Sequence, residues 1–133
     1  MSALVLDTSV LLAILLEESA AVRLVGALAA ADARRLSAAN LLEAEIAATR
    51  RGGDALAQRV DVLLDELGIV VVAVTRAQVT VAREAYRRFG KGRHPAALNF
   101  GDCFSYALAA YRGEPLLFIG DDFARTDVRA APY

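Results

Sequence analysis

The chain has a single cysteine, Cys103, a single histidine, His94, three prolines and no tryptophan among 133 residues. One cysteine excludes a disulfide framework within the chain and any cysteine-rich zinc centre, and it suits a reducing, cytoplasmic setting. One histidine excludes a general acid–base pair of two histidines in one chain. Charge of one sign is also missing: 15 Lys and Arg against 16 Asp and Glu give a net charge of -1, without the strongly basic balance usual for a nucleic-acid-binding domain. No long apolar run occurs. Val10 to Leu16 is far short of the roughly 20 residues a bilayer span needs, and the N-terminus lacks the positive flank of a secretion signal. Neither a G-x-x-x-x-G-K-[ST] loop nor a G-x-S-x-G elbow is present, and "FGKGRH" is not a phosphate-cradling loop.

What remains is a greasy chain, 56% apolar, long enough to bury a core and read as one domain over 1–133. Residues 3–6 read as a buried strand, 9–17 and 20–31 as helices, and 35–38 as a second short strand. A helix over 40–51 stops at Gly52–Gly53 and restarts at Asp54, with Leu56, Val60, Leu63, Leu64 and Leu67 at helical spacing. "IVVVAV" (69–74) is a β-branched strand, 76–89 a helix, 90–99 an open loop, 101–111 a helix, "PLLFIG" (115–120) a strand, and 121–124 one turn. Strands alternating with helices predict an α/β fold of three layers, a mostly parallel central sheet flanked by helices on both faces.

The acids carry the chemistry. Ligands of open α/β sheets bind beyond the carboxyl ends of the strands. Asp7 ends the first strand, Asp121 and Asp122 follow the last, and Asp102 opens the preceding helix. An ionised Asp7 between apolar elements is costly without a partner. Hard oxygen donors without histidine or thiolate suit Mg²⁺ or Mn²⁺. Each acid also has a plainer reading: Asp102 can complete a reciprocal helix cap with Asn99, and Asp121 and Asp122 can be turn acids. A fourth acid is expected from the helix 40–51, whose buried stripe is predicted as Leu42, Ile46 and Thr49. Glu43 and Glu45 flank that stripe on opposite sides, so periodicity does not choose between them.

Local basic charge gathers at Arg87, Arg88, Lys91 and Arg93, close enough in sequence to Asp102 to rim an acidic site and hold phosphates. His94 reads as a solvated loop residue or a phosphate contact, Cys103 as a small buried hydrophobe, and Tyr106 and Tyr111 as packing residues.

Four stretches, "VLDTSVLLAIL", "LSAANLLEAEIA", "HPAALNFGDCFSYALA" and "PLLFIGDDFARTDV", together resemble a PIN-domain ribonuclease, specifically a VapC-type toxin of a bacterial toxin–antitoxin pair. The resemblance runs from residue 5 to 128. It implies that Asp7, Glu43, Asp102 and Asp122 are the catalytic, metal-holding acids, that Glu43 is chosen over Glu45, and that Ser9 and Asp121 support the site. Many members carry T-x-D-x-D-F where this chain has "FIGDDF"; Asp122, before the phenylalanine, aligns best. The resemblance further implies Mg²⁺-dependent cleavage of RNA through an ion-oriented water, with Mn²⁺ as a substitute ion, a cognate small antitoxin as partner, and a homodimer. Two other readings stay open on the residues alone: a PIN-like nuclease of RNA processing or structured DNA, and a non-enzymatic regulatory module whose acids only cap helices.

Overall fold

The computed structural model describes residues 2–133. Four strands, β1 (Ala3–Leu6), β2 (Ala33–Ser37), β3 (Ile69–Val72) and β4 (Leu116–Leu117), form one sheet in the order β3-β2-β1-β4. Every pairing is parallel, with Leu4 opposite Arg34, Arg35 opposite Val70 and Val5 opposite Leu116. Five helices connect them: α1 (Thr8–Leu15), α2 (Ala21–Ala30), α3 (Ala38–Glu66), α4 (Arg76–Phe89) and α5 (Phe100–Arg112), followed by a single 3-10 turn, Phe123–Arg125.

Strand periodicity sorts the core. Leu4, Leu6, Leu36 and Leu117 point to the layer of α1, α2 and α3, where they meet Val10, Leu24, Leu28 and Val60. Val5 and Leu116 point the other way, onto Phe89, Leu98, Tyr106 and Leu108 beside α4 and α5. Leu6, Leu36 and Leu117 on one face and Val5 and Leu116 on the other are completely buried, as alternating side chains of a sheet covered on both faces should be. The predicted three-layer α/β arrangement is the one observed. The strand order reverses beside β1, so the crevice between β1 and β4 is the natural ligand position of this topology.

Two arginines in a central strand are unusual, and both are answered. Arg35 sets its Nη1 2.7 and 3.0 Å from the two carboxylate oxygens of Glu114, and Arg34 donates to the carbonyls of Leu28 and Ala31 at the end of α2.

Three predicted features are corrected. The strand over 115–120 shortens to Leu116–Leu117, because β1 ends at Leu6 and offers no further ladder; the Ile119 amide donates instead to Ser9 Oγ at 3.1 Å. The buried stripe of the first arm of α3 is Asn40, Ala44 and Ala48, whereas Leu42 and Ile46 are 59% and 44% exposed and Thr49 is exposed. Small residues let α3 approach its neighbours closely, and the larger apolar ones are turned outward. Tyr106 packs as expected, but Tyr111 lies largely in solvent.

The break expected at Gly52–Gly53 is present. Gly53 has φ 71° and ψ −164°, a region open essentially to glycine alone, and it separates α3 into two helical arms. Gly53→Ala is expected to lower unfolding free energy by roughly 1–3 kcal/mol. Gly26→Ala, at an exposed point of α2 where an added Cβ meets nothing within 4 Å, is expected to raise it by about 0.5–1 kcal/mol. Urea melts of the two variants check both signs.

Candidate active site

The carboxyl edge of the sheet gathers the acids. β1 runs into Asp7, whose extended backbone makes it the N-cap of α1. Its Oδ2 accepts the Ser9 amide at 3.0 Å, and its Oδ1 accepts the hydroxyl of Ser105, from α5, at 2.5 Å. Asp7 is only 6% exposed; these two donors, rather than a cation, are its partners within the protein.

Glu43 comes from the first arm of α3. Its Oε1 receives the Thr8 hydroxyl at 2.5 Å and the Asn40 amide at 3.2 Å. The same Asn40 Nδ2 donates to the Gly101 carbonyl at 3.0 Å, tying α3 to α5. Gly101 is needed as a blank: a Cβ there would stand 1.9 Å from Glu43 Oε2. Glu45, by contrast, faces Asp61 of the second arm, and burial followed by that neighbouring acid raises its carboxyl. The two glutamates that periodicity leaves equivalent are therefore in different places, with Glu43 toward Asp7 and Asp102.

Asp102 does two things. Its Oδ2 accepts the Asn99 amide at 3.0 Å while Asn99 Oδ1 accepts the Asp102 amide at 2.9 Å, a complete capping box. The capping reading is thus present in the structure, and it occupies one carboxylate oxygen. Burial above all, then the charges of Asp7, Asp122 and Glu43, push the Asp102 carboxyl from 3.8 up to about 7, against the opposing Asn99 hydrogen bond. Asp102 therefore lies within electrostatic reach of the other three acids. Asp122 is exposed at the start of the 3-10 turn, and Asp121 is exposed beside it; Asp121 is absent from the charges that act on Asp102. Ser9 serves the edge twice, donating its amide to Asp7 and accepting the Ile119 amide, which pins the segment leading to Asp121 and Asp122.

The donor set is all oxygen, with one Asp102 oxygen outside the cap. A half-buried carboxyl raised by desolvation and then by like charges is the electrostatic setting a divalent cation relieves. The residues fit a hard cation in chemistry. Among the described residues, however, no three Asp, Glu, His or Cys side chains close into a ready-made cage: the acids form an open edge.

Thr8, Asn40, Gly101 and Ser105 hold the acids in place, and none was singled out from sequence. Spacing carried a signal for two of them: Asn40 lies one helical turn before Glu43, and Ser105 one turn after Asp102.

The basic cluster divides. Arg87 pairs with Glu84 at 2.5 Å, and Arg88 reaches Asp127 at 3.2 Å. Asp127 also accepts the Tyr106 hydroxyl at 2.5 Å; chiefly that bond, then the Arg88 charge, lowers its carboxyl. Lys91 and Arg93 are exposed and form no ion pair among the described residues. Lys91 borders a groove of about 550 Å³ between α4 and α5 together with Tyr86, Asn99, Phe100 and Phe104. His94 is half-buried rather than solvated: its Nδ1 accepts the Ala96 amide at 3.0 Å and its ring meets Phe89 edge-on, which makes it a brace of the loop 90–99. Cys103 is buried, and burial pushes its thiol up to about 11, consistent with an inert packing role.

The PIN-domain family model matches residues 4–129, which include every strand residue but Ala3 and all the acids at the carboxyl edge of the sheet. The chain belongs to this family, among its VapC ribonucleases. It is 49% identical over 127 residues to a ribonuclease VapC of Mycolicibacterium smegmatis, covering 96% of this chain and 98% of that one. It is 48% identical over 129 residues to ribonuclease VapC28 of Mycobacterium tuberculosis, covering 96% and 97%. In fold it resembles the crystal structure of Mycobacterium tuberculosis VapC20, a sarcin–ricin-loop-cleaving toxin, with a TM-score of 0.78 at 20% identity over 95% of this chain and 96% of that one. It also resembles a toxin–antitoxin complex from Klebsiella pneumoniae, with a TM-score of 0.75 at 18% identity over 99% and 98%.

The raised Asp102 carboxyl has a defined pH signature. A folded-state value of about 7 against 3.8 unfolded means that the folded protein holds this proton more tightly. The associated stability is complete below about pH 4 and is lost as pH rises through about 7. Metal-free protein is therefore expected to melt at lower temperature at pH 8 than at pH 5.5. Asp102→Asn keeps an acceptor for the Asn99 amide and should flatten that slope, with equal or greater stability at pH 8. Thermal melts in EDTA across this range decide it.

Proposed function

We propose that this chain is the toxin of a type II toxin–antitoxin pair and a Mg²⁺-dependent endoribonuclease, with Asp7, Glu43, Asp102 and Asp122 as the acids that hold the ion. The observation that carries this reading is 48–49% identity to VapC ribonucleases over nearly the whole chain, in a fold that brings Asp7, Glu43 and Asp102 from β1, α3 and α5 to one edge of the sheet. Mg²⁺, with Mn²⁺ as a substitute, would supply the positive charge that orients an attacking water and neutralises the leaving oxygen of a phosphodiester.

The chain's own residues prepare that step. Ser9 and Ser105 fix the Asp7 carboxylate through one donor to each oxygen. Thr8 and Asn40 fix Glu43 through a single oxygen, leaving the other for a further partner. The Asn99 cap fixes Asp102 on one side only. An acidic edge repels RNA phosphates, so cations must hold the substrate close by. Lys91 and Arg93, exposed and without an acidic partner among the described residues, fit that task better than Arg87 and Arg88, which are already engaged.

The partner is a small antitoxin, in keeping with fold neighbours solved as toxin–antitoxin assemblies from Klebsiella pneumoniae and Rickettsia felis. A homodimer suits the outward apolar residues Leu42, Ile46 and Phe100, the last 80% exposed. No helix is long and apolar enough to cross a membrane among the described residues, and we place the protein in the cytoplasm.

Purified, antitoxin-free protein should cleave single-stranded RNA in Mg²⁺ or Mn²⁺ and lose that cleavage in EDTA, while duplex DNA stays intact. Asp102→Asn should abolish cleavage without unfolding the chain; full activity in this variant would reject the assignment. Replacing Lys91 and Arg93 together by glutamine should reduce the salt slope of RNA binding by roughly one to two in log–log form, about 0.7 per lost phosphate contact. Titrations of a labelled oligonucleotide at several salt concentrations measure it, with Mn²⁺ affinity expected to stay unchanged.

A further inference from the structure

Ser105 is completely buried in the middle of α5, a position where serine is no better than neutral for a helix. Serine hydroxyls inside helices often turn back to the carbonyl four residues earlier. Here that carbonyl belongs to Gly101 and accepts Asn40 Nδ2 at 3.0 Å, while the Ser105 hydroxyl leaves its own helix for Asp7 Oδ1 at 2.5 Å. The carboxylate across from it is equally specific in its choices, taking only one other donor, the Ser9 amide on Oδ2 at 3.0 Å.

A carboxylate has about four lone-pair sites, two on each oxygen. One donor on each oxygen sets the plane of the Asp7 carboxylate and leaves roughly one lone pair on each for a further partner. Both fixing donors are rigidly mounted, one on the first turn of α1 and the other on α5. Because α5 also carries Asp102, one turn before Ser105, the bond sets the Asp7 carboxylate in register with the acid beside it.

From this geometry we infer that Ser105 is a positioning residue, whose hydroxyl orients Asp7 so that Asp7 and Asp102 can bind one divalent cation together. This rests on the proposed metal-dependent reading and adds to it a residue that touches neither ion nor RNA. Outer partners of metal-binding carboxylates commonly govern affinity or activity by about 10–100-fold.

The experiment uses the full chain and Mn²⁺ itself, titrated by calorimetry, with RNA cleavage as a second readout. Ser105→Ala removes one oxygen and places a better helix former in α5, so its thermal melt should show a folded protein. We expect about 10-fold weaker Mn²⁺ binding and a lowered kcat with KM for RNA little changed. Ser105→Thr, which restores the hydroxyl, should recover most of the affinity. In an Asp7→Ala background, which has no side-chain acceptor, Ser105→Ala should shift Mn²⁺ affinity less than twofold, since the orienting bond no longer has its target. Native-like Mn²⁺ affinity in Ser105→Ala, or an equal loss in both backgrounds, would overturn the positioning role while leaving the metal-dependent reading intact. Absence of Mn²⁺ binding by the native chain would overturn both.

Discussion

Like charges collected at the carboxyl edge of a sheet repel one another, and much of this structure is organised around holding them there. Asp7, Glu43, Asp102 and Asp122 come from β1, α3, α5 and the segment after β4, and Asp102 feels all three of the others. Buried ionised groups without hydrogen bonds are among the most costly features a fold can contain. Asp7 and Glu43 are accordingly met by hydroxyls and amides rather than by arginines. A cationic side chain would neutralise the edge, whereas neutral donors fix the two carboxylates without adding opposite charge.

The helix α5 links these contacts. Its Gly101 leaves room for Glu43, its Asp102 belongs to the acidic edge, and its Ser105 reaches Asp7. All three lie within about one turn and a half, on a segment whose start is set by the Asn99–Asp102 cap. Capping and site formation, which sequence alone presents as competing explanations of Asp102, are the same piece of structure.

The parallel order of strands and helices was legible because hydrophobic period and glycine punctuation agree over most of the chain. The acids at the strand ends were legible for the same reason: a charge interrupting an apolar run is conspicuous. Other features were not. Leu42 and Ile46 have the helical spacing of a core stripe, yet α3 buries Asn40, Ala44 and Ala48, because close approach of helices favours small side chains over greasy ones. The end of β4 depends on where its partner β1 stops, which no local pattern records. Nor does a local pattern identify donors such as Thr8 and Ser105, whose partners lie 35 and 98 residues away. The choice of Glu43 over Glu45 came from family resemblance, and the structure supplies a physical difference between the two: one faces the acidic edge and the other faces Asp61.

Gly101 gives the chain a particular genetic fragility. Every single-base change that replaces a glycine codon with another amino acid adds a Cβ, and here that atom would lie 1.9 Å from Glu43 Oε2. Alanine at this position favours the helix while evicting the glutamate, so the damage would fall on the site before the fold. A single base change in this codon is thus a short route to a protein that is still made and folded but whose acidic edge has lost its place for Glu43.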